Sequence, residues 1–208
     1  MITEEQFTIL LPLAVEWAKE NEAIILQKGV PLTESQVADA CTLGISQVNR
    51  IRLMKVTTIP VPNEPSLKAA AQATNLITPQ TAGLTLRYGI FIRSDCLGDR
   101  RLIVHELVHT SQYEKLGGFL PFLQKYLHQC ITIGYPAAPM EQEAINRAAS
   151  LIGYAIDPGE LKVSSHISFF SVTSDEPQGT SDGSQNHTNG IRCGAFAAFQ
   201  FQLFALSF

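Results

Sequence analysis

Residues 99–118 read DRRLIVHELVHTSQYEKLGG, and this stretch marks where a helix begins, which side of it is apolar and where it ends. Asp99 is a good N-cap, because its carboxylate can accept from the unpaired N–H groups of a first turn. Val104, Leu107, Val108, Tyr113 and Leu116 recur at helical spacing, and Gly117 with Gly118 supplies a left-handed stop. Within that helix His105 and His109 are four residues apart, so their imidazoles leave the same face, with Glu106 one position along. Two imidazoles so placed can hold one metal ion, and the acid beside the first can reach a water on that ion. Zinc suits the pattern: it takes neutral imidazole nitrogens, and with three protein ligands it keeps a fourth position for a water acidified toward a pKa of about 7. Glu106 is then the expected general base.

A third ligand has to come from another element. Residues 138–145, APMEQEAI, open a later helix with two acids, and a carboxylate from Glu141 or Glu143 completes a His, His, Glu set. Either acid is also well placed simply as a negative charge in a helix's first turn. His128 is a further ligand candidate, read more readily as an ordinary histidine. Tyr135 is a candidate donor to a tetrahedral oxyanion, with a packing aromatic as the plainer reading. Tyr113, one turn beyond His109, reads as a residue that packs the helix.

The pairing of HELVH at 105–109 with EQEA at 141–144 resembles the gluzincin branch of the zincin metallopeptidases. In that branch an HExxH helix is joined by a glutamate on a following helix, in an ExxxD or ExxAD setting. The resemblance implies that Glu141 is the third ligand, since Ala144 falls where the family has alanine, and leaves Glu143 as the alternative. It implies hydrolysis of peptide or protein amide bonds through a zinc-activated water, with Glu106 as base. The implied fold is α+β, a mostly helical zincin-like domain with a small sheet beside the HExxH helix. This chain departs from the pattern at Ile145, where the family often has an aspartate that orients a histidine ligand. The segments YGIFIRSD at 88–95, GDRRLIVHELVHTSQYE at 98–114 and GYP at 134–136 also resemble a family of bacterial HExxH proteins without an assigned substrate, over about residues 3–155.

Working outward, Thr3 with Gln6 and Thr33 with Gln36 are capping boxes. The first opens an amphipathic helix running to Gly29 through Pro12, and the second a short helix stopped by Gly44. Residues 51–59 read as a strand, Pro65 and Ser66 start an alanine-rich helix through Ala73, and residues 81–93 alternate as one strand, with Gly89 allowing close approach of another backbone. Its part from Leu84 to Arg93, just ahead of the HExxH helix, is the expected edge for an extended peptide substrate. Helices follow over about 120–133 and 140–152. The domain is expected to cover 1–158. Beyond it, 159–208 reads as a low-complexity, disordered or loosely packed tail, because residues 171–189 are almost wholly polar and small. Its aromatic end, 196–208, can pack back on the domain or contact a partner.

A formal charge of -4 and a pI of about 5.7 leave no basic excess to neutralise a phosphate backbone, so nucleic acid is not an expected partner. The longest apolar segment, Cys193 to Phe208, is broken by Gln200 and Gln202 and falls short of the roughly 18–20 residues that cross a bilayer. The acidic start, MITEEQ, lacks the basic and apolar run of an export signal, and a cytoplasmic location is expected. Cys41, Cys96, Cys130 and Cys193 show no ligand-like spacing and read as reduced thiols. The alternative function, favoured by Ile145 and the small size, is a catalytically inactive metal-binding regulatory or interaction protein on the same fold.

Overall fold

A computed structural model describes residues 2–153; the tail read from 159 onward lies outside them. The described chain is mixed α+β and mostly helical, with a four-stranded sheet. Helix α1 (Glu4–Lys28) opens on the Thr3–Gln6 capping box, closed in both directions, and accommodates Pro12 without ending. Strand β1 (Val30–Pro31) is a short addition that residue patterning did not announce. Helix α2 (Glu34–Thr42) starts on the second capping box, and Gly44 takes a φ of 76° just beyond its end.

Strand β2 (Arg52–Val56) is shorter than the span read from the apolar run. Helix α3 (Pro65–Ala73) uses Glu64 as its N-cap and Pro65 at its first position, where a missing N–H costs nothing. The expected single strand over 81–93 is a hairpin instead: β3 (Gly83–Leu86) and β4 (Gly89–Arg93) pair antiparallel across a tight turn. The turn places Arg87 at φ 62°, a left-handed conformation that alternation of side chains cannot signal.

The strand order is β1-β2-β4-β3, with β2 and β4 parallel and the outer pairs antiparallel. This corrects the reading of 84–93 as a substrate edge. Strand β4 is hydrogen-bonded on both sides and buried along its length, so it has no groups left to receive a peptide. Of the hairpin's two strands, β3 is the one at the sheet's edge. Gly89 is a site of close approach, although its neighbour is a side chain: a Cβ there would lie 2.9 Å from Ile25 Cβ.

Helices α4 (Arg100–Leu116), α5 (Phe119–Thr132) and α6 (Pro139–Ile152) follow. Asp99 caps α4 by accepting from Arg101 and Leu102 N–H, and Gly117 ends it at φ 91°. Helix α4 is the centre of the domain, packed against β3, α2, α5 and α6. The core runs from Val15, Ala18 and Ile25 of α1 through Leu86 and Phe91 of the sheet to Tyr113, Phe122 and Met140. Tyr113 stacks on Phe122 with ring centroids 3.5 Å apart, so it packs α4 on α5, as its position suggested. Cys41 and Cys130 are free thiols, the first exposed and the second buried. Among the described residues no helix is long and apolar enough to cross a membrane.

Two charged ties fasten the centre. Arg100 at the start of α4 grips the buried Asp39 of α2 through two bonds of 3.0 and 2.7 Å. Glu114 near its end accepts from Ser46 N and Oγ, Gln47 N and the Tyr88 hydroxyl at 2.7–3.2 Å. Burial alone would raise the Glu114 pKa, and these donors outweigh it and hold the carboxylate below its ordinary value. A lowered folded pKa gives stability that is present above the unfolded value and lost as pH falls through the folded one. Glu114→Gln should therefore cost about 0.5–1 kcal/mol at neutral pH, because solvent screens a carboxylate this open. In urea titrations the gap between the two proteins should close in acid.

Candidate metal centre

The site begins with a helix that is buried yet polar. Val104, Leu107 and Val108 of α4 are fully enclosed, and Glu106, His109, Thr110, Ser111 and Gln112 are buried beside them. His105 is the partly open member, with 17% of its side chain exposed. Helix α6 crosses α4 so that Glu141, in its first turn, points at the two imidazoles and is 1% exposed. His109 Nε2 lies 3.1 Å from His105 Nε2 and 3.2 Å from Glu141 Oε1, and His105 Nε2 lies 3.4 Å from Glu141 Oε2.

The two imidazoles thus face different oxygens of Glu141, and one ligand atom from each of the three residues lies within 4.8 Å of the other two, a group that could hold one ion. Around a tetrahedral zinc with bonds of about 2.0–2.1 Å, neighbouring ligand atoms stand about 3.3–3.4 Å apart. The carboxylate itself points the same way. Tyr126 donates to Glu141 Oε1 at 2.6 Å, while the buried Oε2 has no hydrogen-bond partner, an arrangement that is costly unless a cation satisfies it. Two neutral nitrogens and a carboxylate oxygen form a donor set that zinc accepts readily, and cobalt, nickel or manganese also bind such sets.

Electrostatics without an ion follow from the same contacts. Burial would depress the His109 imidazole, but the Glu141 carboxylate, and then Glu106, raise it to about 9. Glu141 is pushed up by burial and pulled further down by His109 and His105, well below the carboxylate range. Without an ion, a proton on His109 is what balances the Glu141 carboxylate, so proton and metal compete for the same group.

Glu106 sits beside this group, held by the edge strand. Thr85 of β3 donates to Glu106 Oε2 at 2.7 Å, and lies 3.0 Å from its backbone carbonyl. The same strand makes room for the carboxylate: a Cβ at Gly83 would meet Glu106 Oε1 and lie 2.8 Å from its Cδ. Tyr135, on the α5–α6 connection, feels the charges of both Glu141 and Glu106 after the larger effect of its own burial, and all three push its phenol above the ordinary range.

The other candidates fall elsewhere. Glu143 is outside the converging set; its carboxylate accepts from Gln112 and approaches Lys115 and Arg147. His128 pairs with Glu4 at 3.6 Å on the surface between α5 and α1. Ile145 contributes no ligand or carboxylate. Residue patterning missed Thr85, Gln112 and Tyr126. Gln112 carried a faint signal, as a polar residue one turn past His109 on a face otherwise closed to water.

No family model, curated protein or solved structure matches this chain.

Zinc added to the metal-free chain should bind at one ion per chain and raise its unfolding free energy by about 2.7 kcal/mol at a free concentration one hundred times Kd. His109→Ala and Glu141→Ala should lose that stabilisation in a thermal shift. Glu143→Ala should keep the stoichiometry of one, and a loss of bound zinc there equal to that in Glu141→Ala would reverse the ligand assignment.

Proposed function

We propose that the chain is a zinc-dependent metallopeptidase on a zincin-like fold, in which His105, His109 and Glu141 hold the ion and Glu106 is the general base. The observation that carries this reading is the convergence of those three ligand atoms beside a buried carboxylate that is not itself a ligand. An ion held there would supply a Lewis acid that acidifies water and polarises a carbonyl.

The protein's own groups then have distinct parts. Glu106 Oε2 is occupied by the Thr85 hydroxyl, so Oε1 is the oxygen left to take a proton from the attacking water. As the water oxygen bonds to the carbonyl carbon and the C–N bond breaks, Glu106 returns that proton to the leaving nitrogen. Tyr135, near enough to feel the charges of Glu141 and Glu106, is the candidate to donate a phenolic hydrogen to the oxyanion that develops on the carbonyl oxygen. The rim of β3 offers main-chain groups that can align an extended peptide, because its other side is the one paired with β4. Gly83 and Thr85 belong to that strand, so the surface that would align the peptide also positions the base.

A second reading, a metal-binding regulatory or interaction protein without turnover, draws support from the bond between Thr85 and Glu106, which occupies one oxygen of the carboxylate. The two readings separate by substitution in the full chain, assayed against a peptide library by mass spectrometry. Under the peptidase reading Glu106→Gln keeps its zinc and loses about 100- to 10,000-fold in cleavage rate. Thr85→Val should lower kcat by about tenfold, the share expected of one lost hydrogen bond to a reacting group, and Gly83→Ala should do the same by displacing the carboxylate. Zinc-loaded protein that cleaves nothing, with or without Glu106, would favour the second reading.

A further inference from the structure

Gln112 lies one turn beyond His109 on α4 and is 3% exposed. Its side-chain nitrogen donates to the Met140 carbonyl at 3.0 Å and to Glu143 Oε2 at 3.0 Å. A backbone carbonyl and a carboxylate accept hydrogen bonds and cannot give them, so the NH2 end of the amide must be the end that faces α6. Its oxygen therefore faces His109, 2.9 Å from Nδ1. An amide oxygen also accepts only. The hydrogen in that contact has to come from Nδ1, and the neutral ring is left with its lone pair on Nε2, the atom beside His105 and Glu141.

We infer that Gln112 is a positioning residue of the metal centre, fixing His109 as the Nδ1–H tautomer with Nε2 free to ligate, and that Glu143 sets which way round Gln112 lies. The inference rests on the metal-centre reading above. It gives Glu143 a part that its position near Glu141 in sequence does not suggest. Lys115 and Arg147 approach Glu143 at 3.7 and 3.5 Å, so a chain of contacts runs from two surface cations to the imidazole. The docking of α6 on α4 thereby delivers two things at once: the carboxylate ligand from Glu141, and the tautomer of a histidine on the opposite helix.

The competing explanation is that Gln112 only knits the two helices together. Two altered full-length chains distinguish these, Gln112→Leu and the double change Gln112→Glu with Glu143→Gln. The double change keeps an acceptor opposite Nδ1 and moves the amide donor to α6, although the Met140 carbonyl loses its donor, so it also serves if Gln112→Leu fails to fold. The readouts are zinc affinity by competition with a chromophoric chelator, and the hydrogen-bonded Nδ1 proton of His109 by NMR in zinc-free protein above pH about 9, where the ring is neutral.

Positioning predicts that Gln112→Leu weakens zinc binding by about 10- to 100-fold, while the double variant stays within about threefold of the unaltered chain. It also predicts that the protected Nδ1 proton is lost in the first and kept in the second. Zinc binding by Gln112→Leu within about threefold of the unaltered chain would overturn the inference and leave the metal centre standing. So would a folded double variant that keeps the Nδ1 proton yet binds zinc as weakly as Gln112→Leu. An unaltered chain that binds no zinc overturns the metal centre itself. The Nδ1 proton then decides the part of Gln112 alone: its loss in Gln112→Leu upholds the tautomer assignment, and its survival removes it.

Discussion

A helix that carries Glu106, His109, Thr110, Ser111 and Gln112 on surfaces closed to water must find a partner for each, because a buried polar group left unpaired costs on the order of 1–3 kcal/mol. Helix α4 solves this by reaching into every neighbour. Thr110 donates to the Arg87 carbonyl in the β-hairpin, Ser111 to the Leu43 carbonyl at the end of α2, and Gln112 to α6. Glu106 takes its hydrogen bond from Thr85 on β3. The arrangement of the domain around α4 is thus a list of answers to that helix's polar side chains. Apolar packing, supplied by Val104, Leu107 and Val108, gives the cohesion, while the hydrogen bonds give the angle at which each element docks.

The same logic explains why a carboxylate as enclosed as Glu141 is tolerated. A lone buried charge costs several kcal/mol, and opposite charge close by is what lets it remain ionised. His109 and His105 supply that charge in the absence of an ion, and Tyr126 holds one oxygen in place. One oxygen of Glu141 nonetheless stays without a hydrogen-bond donor.

Much of this was legible in the residues. The start and stop of α4, the shared face of His105 and His109, and both capping boxes follow from local chemistry, because an N-cap, a glycine at positive φ and an i, i+4 pair act within a few residues of themselves. Glu141 could be proposed as a ligand by resemblance, but the choice between it and Glu143 depends on the rotation of α6 against α4, which side chains a turn apart do not encode. The hairpin at 81–93 was read as one strand because Leu84, Leu86, Tyr88 and Ile90 keep alternating through the turn. Arg87 adopts its left-handed conformation without a glycine to mark it. Thr85 and Gln112 were not singled out, since a threonine in a strand or a glutamine in a helix gains its role only from what lies opposite. Ile145 is a departure from the gluzincin pattern at which an acidic orienting group is lacking; Gln112, on the other helix, occupies the second nitrogen of His109.

The Leu43 carbonyl accepts both Ser111 Oγ at 3.2 Å and Arg147 Nη2 at 2.9 Å. Ser111 belongs to α4 and Arg147 to α6, the two helices that bring the ligands together, and their common anchor is a main-chain atom just past the end of α2. A joint made by backbone leaves no signature at its own position: any residue that fits the pocket at 43 presents the same oxygen. Mutational scanning would therefore find the joint only through its donors, at 111 and 147, and would score position 43 as a matter of side-chain volume.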